Sequence, residues 1–101
     1  MSVLYVVTVE VEPSALEQFR AWLPHHVEAV LAQPGFVGCR SWLDAEDAAD
    51  GWRRVHNHYE LRDRESHARY DASEAAARLR SESRDRFGAN VRFRRALYSA
   101  L

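Results

Sequence analysis

Between Arg53 and Leu61 the sequence reads RRVHNHYEL, and its residue types alternate. In an extended chain Val55, Asn57, Tyr59 and Leu61 fall on one side, and Arg54, His56, His58 and Glu60 on the other. Two imidazoles on one strand face offer a pair of metal-ligating nitrogens, with Thr8, Glu10 or a second subunit as the source of a third ligand. The same pair equally serves as the hydrogen-bonding lining of a covered polar face. A second group of candidates is Trp22 with His25 and His26. Neighbours on a helix point about 100° apart, so only one of the two histidines turns inward. His26 lies four residues after Trp22, on the same face. An imidazole beside an apolar wall suits a general base, because it titrates near neutrality. The plainer alternative is a helix-end histidine bonded to the backbone. Tyr5, Tyr59 and Tyr70 bring hydroxyls that need partners wherever they are buried, and Tyr59 is the candidate proton donor. Aromatic groups of this kind also serve simply as core. Arg40 and Trp42 fit a clamp on an anionic or aromatic ligand, or a subunit interface. The assignment is therefore His26 and Tyr59 as catalytic candidates, with Trp22, Tyr5, Arg40 and His58 as ligand-binding candidates and no metal.

Composition removes several chemistries. All fourteen basic residues are arginine, so a Schiff-base lysine, a pyridoxal phosphate attachment and a P-loop lysine are excluded. Residues 1–50 hold two arginines against eight acids, and residues 51–101 hold twelve arginines against seven acids. This polarity reads as two solvated faces or as copies meeting acid to base. A net charge of −1 argues against a nucleic-acid partner. The single Cys39 forms no intrachain disulfide, and a lone buried thiol is usually inert. MSVLYVVTVEVEP lacks the basic start of a signal peptide, no stretch has the length of a membrane span, and a cytoplasmic protein is expected. There is no GxGxxG, P-loop or serine elbow.

The elements that must position these residues follow from periodicity. Val3 to Val11 is a β-branched strand, apolar on both faces and so central. Pro13 opens a helix whose apolar positions are Leu16, Phe19, Leu23, Val27, Val30 and Leu31. Pro24 is expected to kink or split it, and Pro34-Gly35 to end it. Phe36 to Leu43 is a second strand, with Phe36, Gly38, Arg40 and Trp42 on one face. After the acidic loop DAEDAADG, a third strand runs from Trp52 to Leu61. Asp63 to Phe87 is helical, with a break near Ser73 and a buried stripe of His67, Tyr70, Ala75, Leu79 and Phe87. Gly88 stops it, and Val91 to Ser99 is the last strand. One domain, 1–101, of order βαββαβ with two right-handed crossovers gives an α+β ferredoxin-like sheet with strands ordered 4-1-3-2. Helices cover the face of Tyr5, Val7, Val9, Tyr59 and Leu61.

In LYVVTVEVEP, in Trp22 and His26 ahead of PGF, in Tyr59, and in RYDASEAAARLRSESRDRFGANVRFRR, the chain resembles the dimeric α+β barrel superfamily. It is similar in particular to a family of small bacterial proteins of unknown function. The resemblance implies a homodimer whose polar sheet faces meet. It also implies kinship with cofactor-free monooxygenases, isomerases and cyclases that use histidines and tyrosines as acid–base groups. The expected role is binding of a small aromatic or anionic molecule, with cofactor-free proton transfer as the leading enzyme reading. A non-catalytic homodimeric interaction protein and a His-ligated metal-binding protein are the alternatives.

Overall fold

The computed structural model describes residues 1–101. Strand β1 (Val3–Val11) leads through a single 3-10 turn, Pro13–Ala15, into helix α1 (Leu16–Leu31). Strands β2 (Phe36–Leu43) and β3 (Arg53–Leu61) follow, then α2 (Arg64–Asp71), α3 (Glu74–Phe87) and β4 (Val91–Ser99). The sheet is antiparallel in the order β2-β3-β1-β4, which is the expected 4-1-3-2 counted from the other edge.

Local chemistry sets the boundaries. Asp63 caps α2 by accepting from the Ser66 backbone N–H, and Ser73 caps α3 by accepting from Ala76. The break between α2 and α3 therefore falls where Ser73 predicts it. Pro24 does not split α1, which runs unbroken through it. The lost backbone bond is outweighed by the burial of Phe19, Leu23 and Val30 on both sides of it. Trp52 lies just outside β3, and its ring packs under the Arg92 guanidinium at 4.0 Å.

Register decides what faces what. Tyr5 stands opposite Tyr59 on one side and Leu97 on the other, so odd-numbered residues of β1, β3 and β4 point towards the helices. In β2 a bulge between Phe36 and Gly38 shifts the phase. Phe36 thus leaves the face of Arg40 and Trp42, where simple alternation puts it, and packs edge-on against Tyr59 and Tyr70 at 5.7 and 5.0 Å. In α3 the buried alanine is Ala76, and Ala75 is only half-buried. The α3 stripe is Ala76, Leu79, Ser83 and Phe87, a spacing of three and four residues.

The core between sheet and helices has two centres. One gathers Val3, Tyr5, Val30, Tyr59, Leu61, Tyr70 and Leu79, and the other Val9, Val11, Phe19, Leu23, Val55, Phe87 and Val91. Val7 and Val27 touch both. Burying each large side chain there contributes about 1.5–3 kcal/mol, so the helical face of the sheet carries most of the stability. The other face has no such cover. Trp42 and Tyr98, on its two edge strands, are 49% and 55% exposed. No helix is long and apolar enough to cross a membrane.

Candidate functional site

Where the two core centres meet, packing leaves a cavity of about 30 Å³ between the sheet, α1 and α3. Its walls bring together five of the residues singled out in the sequence: Tyr5 from β1, Trp22 and His26 from α1, Tyr59 from β3 and Tyr70 from α2. The α-helical spacing of four does the work on α1. The His26 ring stacks on Trp22, with centroids 4.6 Å apart and planes at 24°. Trp22 in turn meets Phe19 and Phe87 at 5.8 and 5.2 Å, which fixes its ring from behind. His25, one residue earlier, is exposed.

The electrostatics of the site follow from burial. Desolvation is the largest influence on His26 and lowers its pKa; Glu82 acts against this and Arg95 with it. The imidazole is therefore neutral at neutral pH, the form that accepts a proton. Its Nδ1 is buried and has no hydrogen-bond partner, and neither has the Ser83 hydroxyl, which also lines the cavity. Both atoms belong to residues that line the void, and a buried polar atom without a protein partner is completed by water or a ligand.

Tyr59 is 2% exposed. Burial raises its phenol far above the ordinary tyrosine range, with Cys39, Tyr70 and Tyr5 adding to the effect. It is a proton donor in hydrogen bonds and not a base. Tyr5 is held in place by its surroundings: its ring lies 5.9 Å from Tyr59 and 4.7 Å from His67, and its hydroxyl accepts from Arg80 Nη2 at 3.2 Å. Arg80 is anchored in turn by Asp71 Oδ1 at 2.7 Å. His67 is a second imidazole whose pKa desolvation lowers, and its Nε2 is also buried without a partner.

The remaining two candidates do not join this group. Arg40 and His58 stand opposite each other on adjacent strands, on the sheet face turned away from the helices. Arg40 lies 5.2 Å from the centre of the Trp42 ring. His56, the other half of the His-x-His pair, spends both ring nitrogens on protein partners, Thr8 Oγ1 at 3.0 Å and Asp44 Oδ2 at 2.8 Å.

Several cavity residues carry no mark in the sequence reading. Asn57 is 2% exposed, and its Oδ1 accepts from Ser41 Oγ at 2.6 Å. A lone amide on an otherwise apolar strand face was the available signal. Ser83 lies four residues after Leu79, on the stripe that α3 buries. Arg95 reaches the cavity because β4 places it opposite Val7, on the helical side.

A void of about 30 Å³ holds one or two water molecules, or a diatomic gas, while drug-sized ligands fill pockets of roughly 300 Å³ or more. An aromatic ligand therefore enters only if the wall moves. Arg95 is exposed, which makes it the part of the wall with room to do so.

The fold has relatives among solved structures. Rv0793 from Mycobacterium tuberculosis superposes with a TM-score of 0.70 at 16% identity, covering 100% of this chain and 96% of that one. SnoaB, a cofactor-independent oxygenase from Streptomyces nogalater, gives 0.68 at 22% identity, covering 99% and 93%. A conserved protein from Methanosarcina mazei Go1 gives 0.74 at 12% identity, covering 100% and 94%. At these identities the likeness establishes the fold. No curated protein matches the sequence. The family model described as a domain of unknown function, DUF4286, matches residues 2–100.

Proposed function

The chain belongs to the DUF4286 family, and we propose that it binds a small aromatic or anionic molecule between sheet and helices and moves a proton there without a cofactor. The observation that carries this reading is His26. Its imidazole is held neutral by desolvation, its Nδ1 has no protein partner, and the residue lines a void walled by Trp22 and three tyrosines, Tyr5, Tyr59 and Tyr70. A buried ring nitrogen without a protein partner is free to bond to water or to a ligand that displaces it.

In this reading His26 Nδ1 takes a proton from a phenol or an activated C–H of the substrate. Tyr59 donates a hydrogen bond to the substrate oxygen, Trp22 is the apolar wall of the site, and Arg95 offsets the negative charge that develops. The resulting anion is electron-rich. Anions of hydroxylated aromatics reduce dioxygen directly, and the fold shared with the cofactor-independent oxygenase SnoaB supports an oxygenase type of outcome over simple isomerisation. The second part of the proposal is a homodimer. The exposed Trp42 and Tyr98, with the unpaired cations Arg40 and Arg94 and the carboxylate of Glu60 on the same sheet face, suit a second copy laid over it.

The test is dioxygen uptake by the native protein against a panel of hydroxylated aromatics under air. His26→Gln keeps the size and polarity of the side chain and should lower the rate by about 10²–10⁴-fold on any substrate found. Uptake undiminished in that variant would show that His26 is not the base. Sedimentation of the native protein should give a dimer; a lone protomer would remove the second part.

A further inference from the structure

On the sheet face turned away from the helices, a second set of side chains stands in a row. Across three neighbouring strands His56, Thr8 and Arg94 are directly opposite one another, at the strand spacing of about 4.8 Å. Asp44, one residue past the end of β2, comes up behind His56. The carboxylate of Asp44 can only accept, so His56 Nε2 carries the proton across the 2.8 Å contact. In the neutral imidazole Nδ1 is then the acceptor, and the Thr8 hydroxyl 3.0 Å away donates to it. Hydroxyl, imidazole and carboxylate thus stand in the order and at the distances of an activated nucleophile with its base and orienting acid.

Two further observations point to a ligand. An open depression of about 480 Å³ lies over the row, within the size range of small-molecule sites. Of the three arginines that wall it, Arg54 is paired with Asp44, and Arg92 with Glu10 and Asp50. Arg94 makes no ion pair, and it stands on the side of Thr8 away from His56. A free cation next to the nucleophile, opposite the base, is where the negative oxygen of a tetrahedral intermediate needs one. The Asp44 carboxyl is held down to about 2, first by its hydrogen bond with His56, so it stays ionised across the working range.

We propose that this row is an acyl-transfer site for small carboxylic esters, separate from the His26 cavity. Thr8 is the nucleophile, His56 the base, Asp44 its positioning residue and Arg94 the oxyanion partner. Thr8 Oγ1 bonds to the ester carbonyl carbon as its proton passes to His56 Nδ1. The carbonyl oxygen, now negative, faces Arg94. Collapse breaks the bond to the leaving alcohol, which takes the proton from His56 and departs, leaving an ester on Thr8. Water then gives a proton to His56, attacks the same carbon and releases the acid, while Thr8 recovers its proton. The sum is ester plus water to acid plus alcohol, with no other reactant. If the second copy proposed above covers this face, the reaction takes place inside the barrel, so the native oligomer is the species to assay.

The probe is 4-nitrophenyl acetate with the full chain. Release of nitrophenol should exceed that of an equal concentration of free imidazole, and acid-quenched protein should carry an acetyl group on the peptide containing Thr8. Thr8→Val keeps the β-branched shape that a central strand favours and should lower the rate by about 10²-fold or more, as should His56→Gln. Arg94→Gln should lower it about 10²-fold with the acetyl still found on Thr8. Thr8→Ser, which restores a hydroxyl, should recover most of the rate and the adduct. A parent protein no faster than imidazole, or a folded Thr8→Val as fast as the parent, would overturn the proposal. So would an acetyl group on His58 or Tyr98 in place of Thr8.

Discussion

Gly35 is the position where the fold is most sensitive to a single added methyl group. It lies in the turn after α1 with φ of +89°, and its carbonyl accepts from the Arg62 N–H at 2.9 Å. A Cβ built there lands 2.5 Å from Ser66 Oγ and closer still to Ser66 Cβ. Ser66 has no freedom to step aside: it is 1% exposed, and its N–H and hydroxyl both donate to Asp63 Oδ1 at 2.7 Å. Two costs therefore add in Gly35→Ala. The left-handed backbone costs about 1–2 kcal/mol for a residue with a Cβ, partly offset by roughly 0.5 kcal/mol from the stiffer unfolded chain. The overlap adds about 1–3 kcal/mol as α2 is pushed off the turn. The sum is about 2–4 kcal/mol. Gly51 separates the two, because it has nearly the same φ, +87°, and open space around its would-be Cβ. Gly51→Ala should cost only about 1 kcal/mol. The assay is urea unfolding at one fixed protein concentration, read as midpoint shifts at constant slope. Ser66→Gly removes the clashing atoms, so in a double-mutant cycle it should return about 1–2 kcal/mol to the Gly35→Ala chain. Equal costs at Gly35 and Gly51, or no coupling to Ser66, would refute this account of the turn.

Two further outcomes follow from buried titrating groups. His26 should titrate below its ordinary 6.5 in NMR, because burial disfavours the imidazolium. Between that lowered value and 6.5 the unfolded chain binds the extra proton, so the contribution of neutral His26 to stability is complete above 6.5 and is lost as pH falls through the folded value. The parent should thus lose stability relative to His26→Gln over that window, and a titration at or above 6.5 would contradict the assignment. Burial also raises the Cys39 thiol, so at neutral pH it should react with a disulfide reagent more slowly than a free thiol and should speed up on unfolding. A folded protein that reacts as fast as free cysteine would show that Cys39 is open to solvent.

Much of the architecture is legible in the chain because its signals are local and strong. Four valines and one tyrosine at alternating positions make β1, Ser73 caps α3, and the odd parity of Tyr5 and Tyr59 selects the face that the helices cover. The pairing of Trp22 with His26 follows from helical pitch alone, and packing confirms that both reach one cavity with Tyr5 and Tyr59. Simple periodicity fails where the geometry departs from it. The bulge at the start of β2 sends Phe36 into the core while Arg40 and Trp42 stay outside, and nothing in the alternation announces an extra residue. Pro24 reads as a break, yet the apolar contacts on either side keep α1 whole.

Sequence alone determines, for this protein, which residues are strand and helix, which side of each is apolar, and that a neutralisable histidine sits next to a tryptophan. These are properties of near neighbours, spaced by the pitch of a helix or the pleat of a strand. Only the tertiary structure decides which distant residues share a hydrogen bond. Thr8 and His56 are 48 positions apart, and Tyr5 and Arg80 75 positions apart. Their meeting depends on strand register and on how the helices lie across the sheet. Register is set by the sum of many weak contacts over both faces, and one residue of slip would send every one of these side chains to the opposite side.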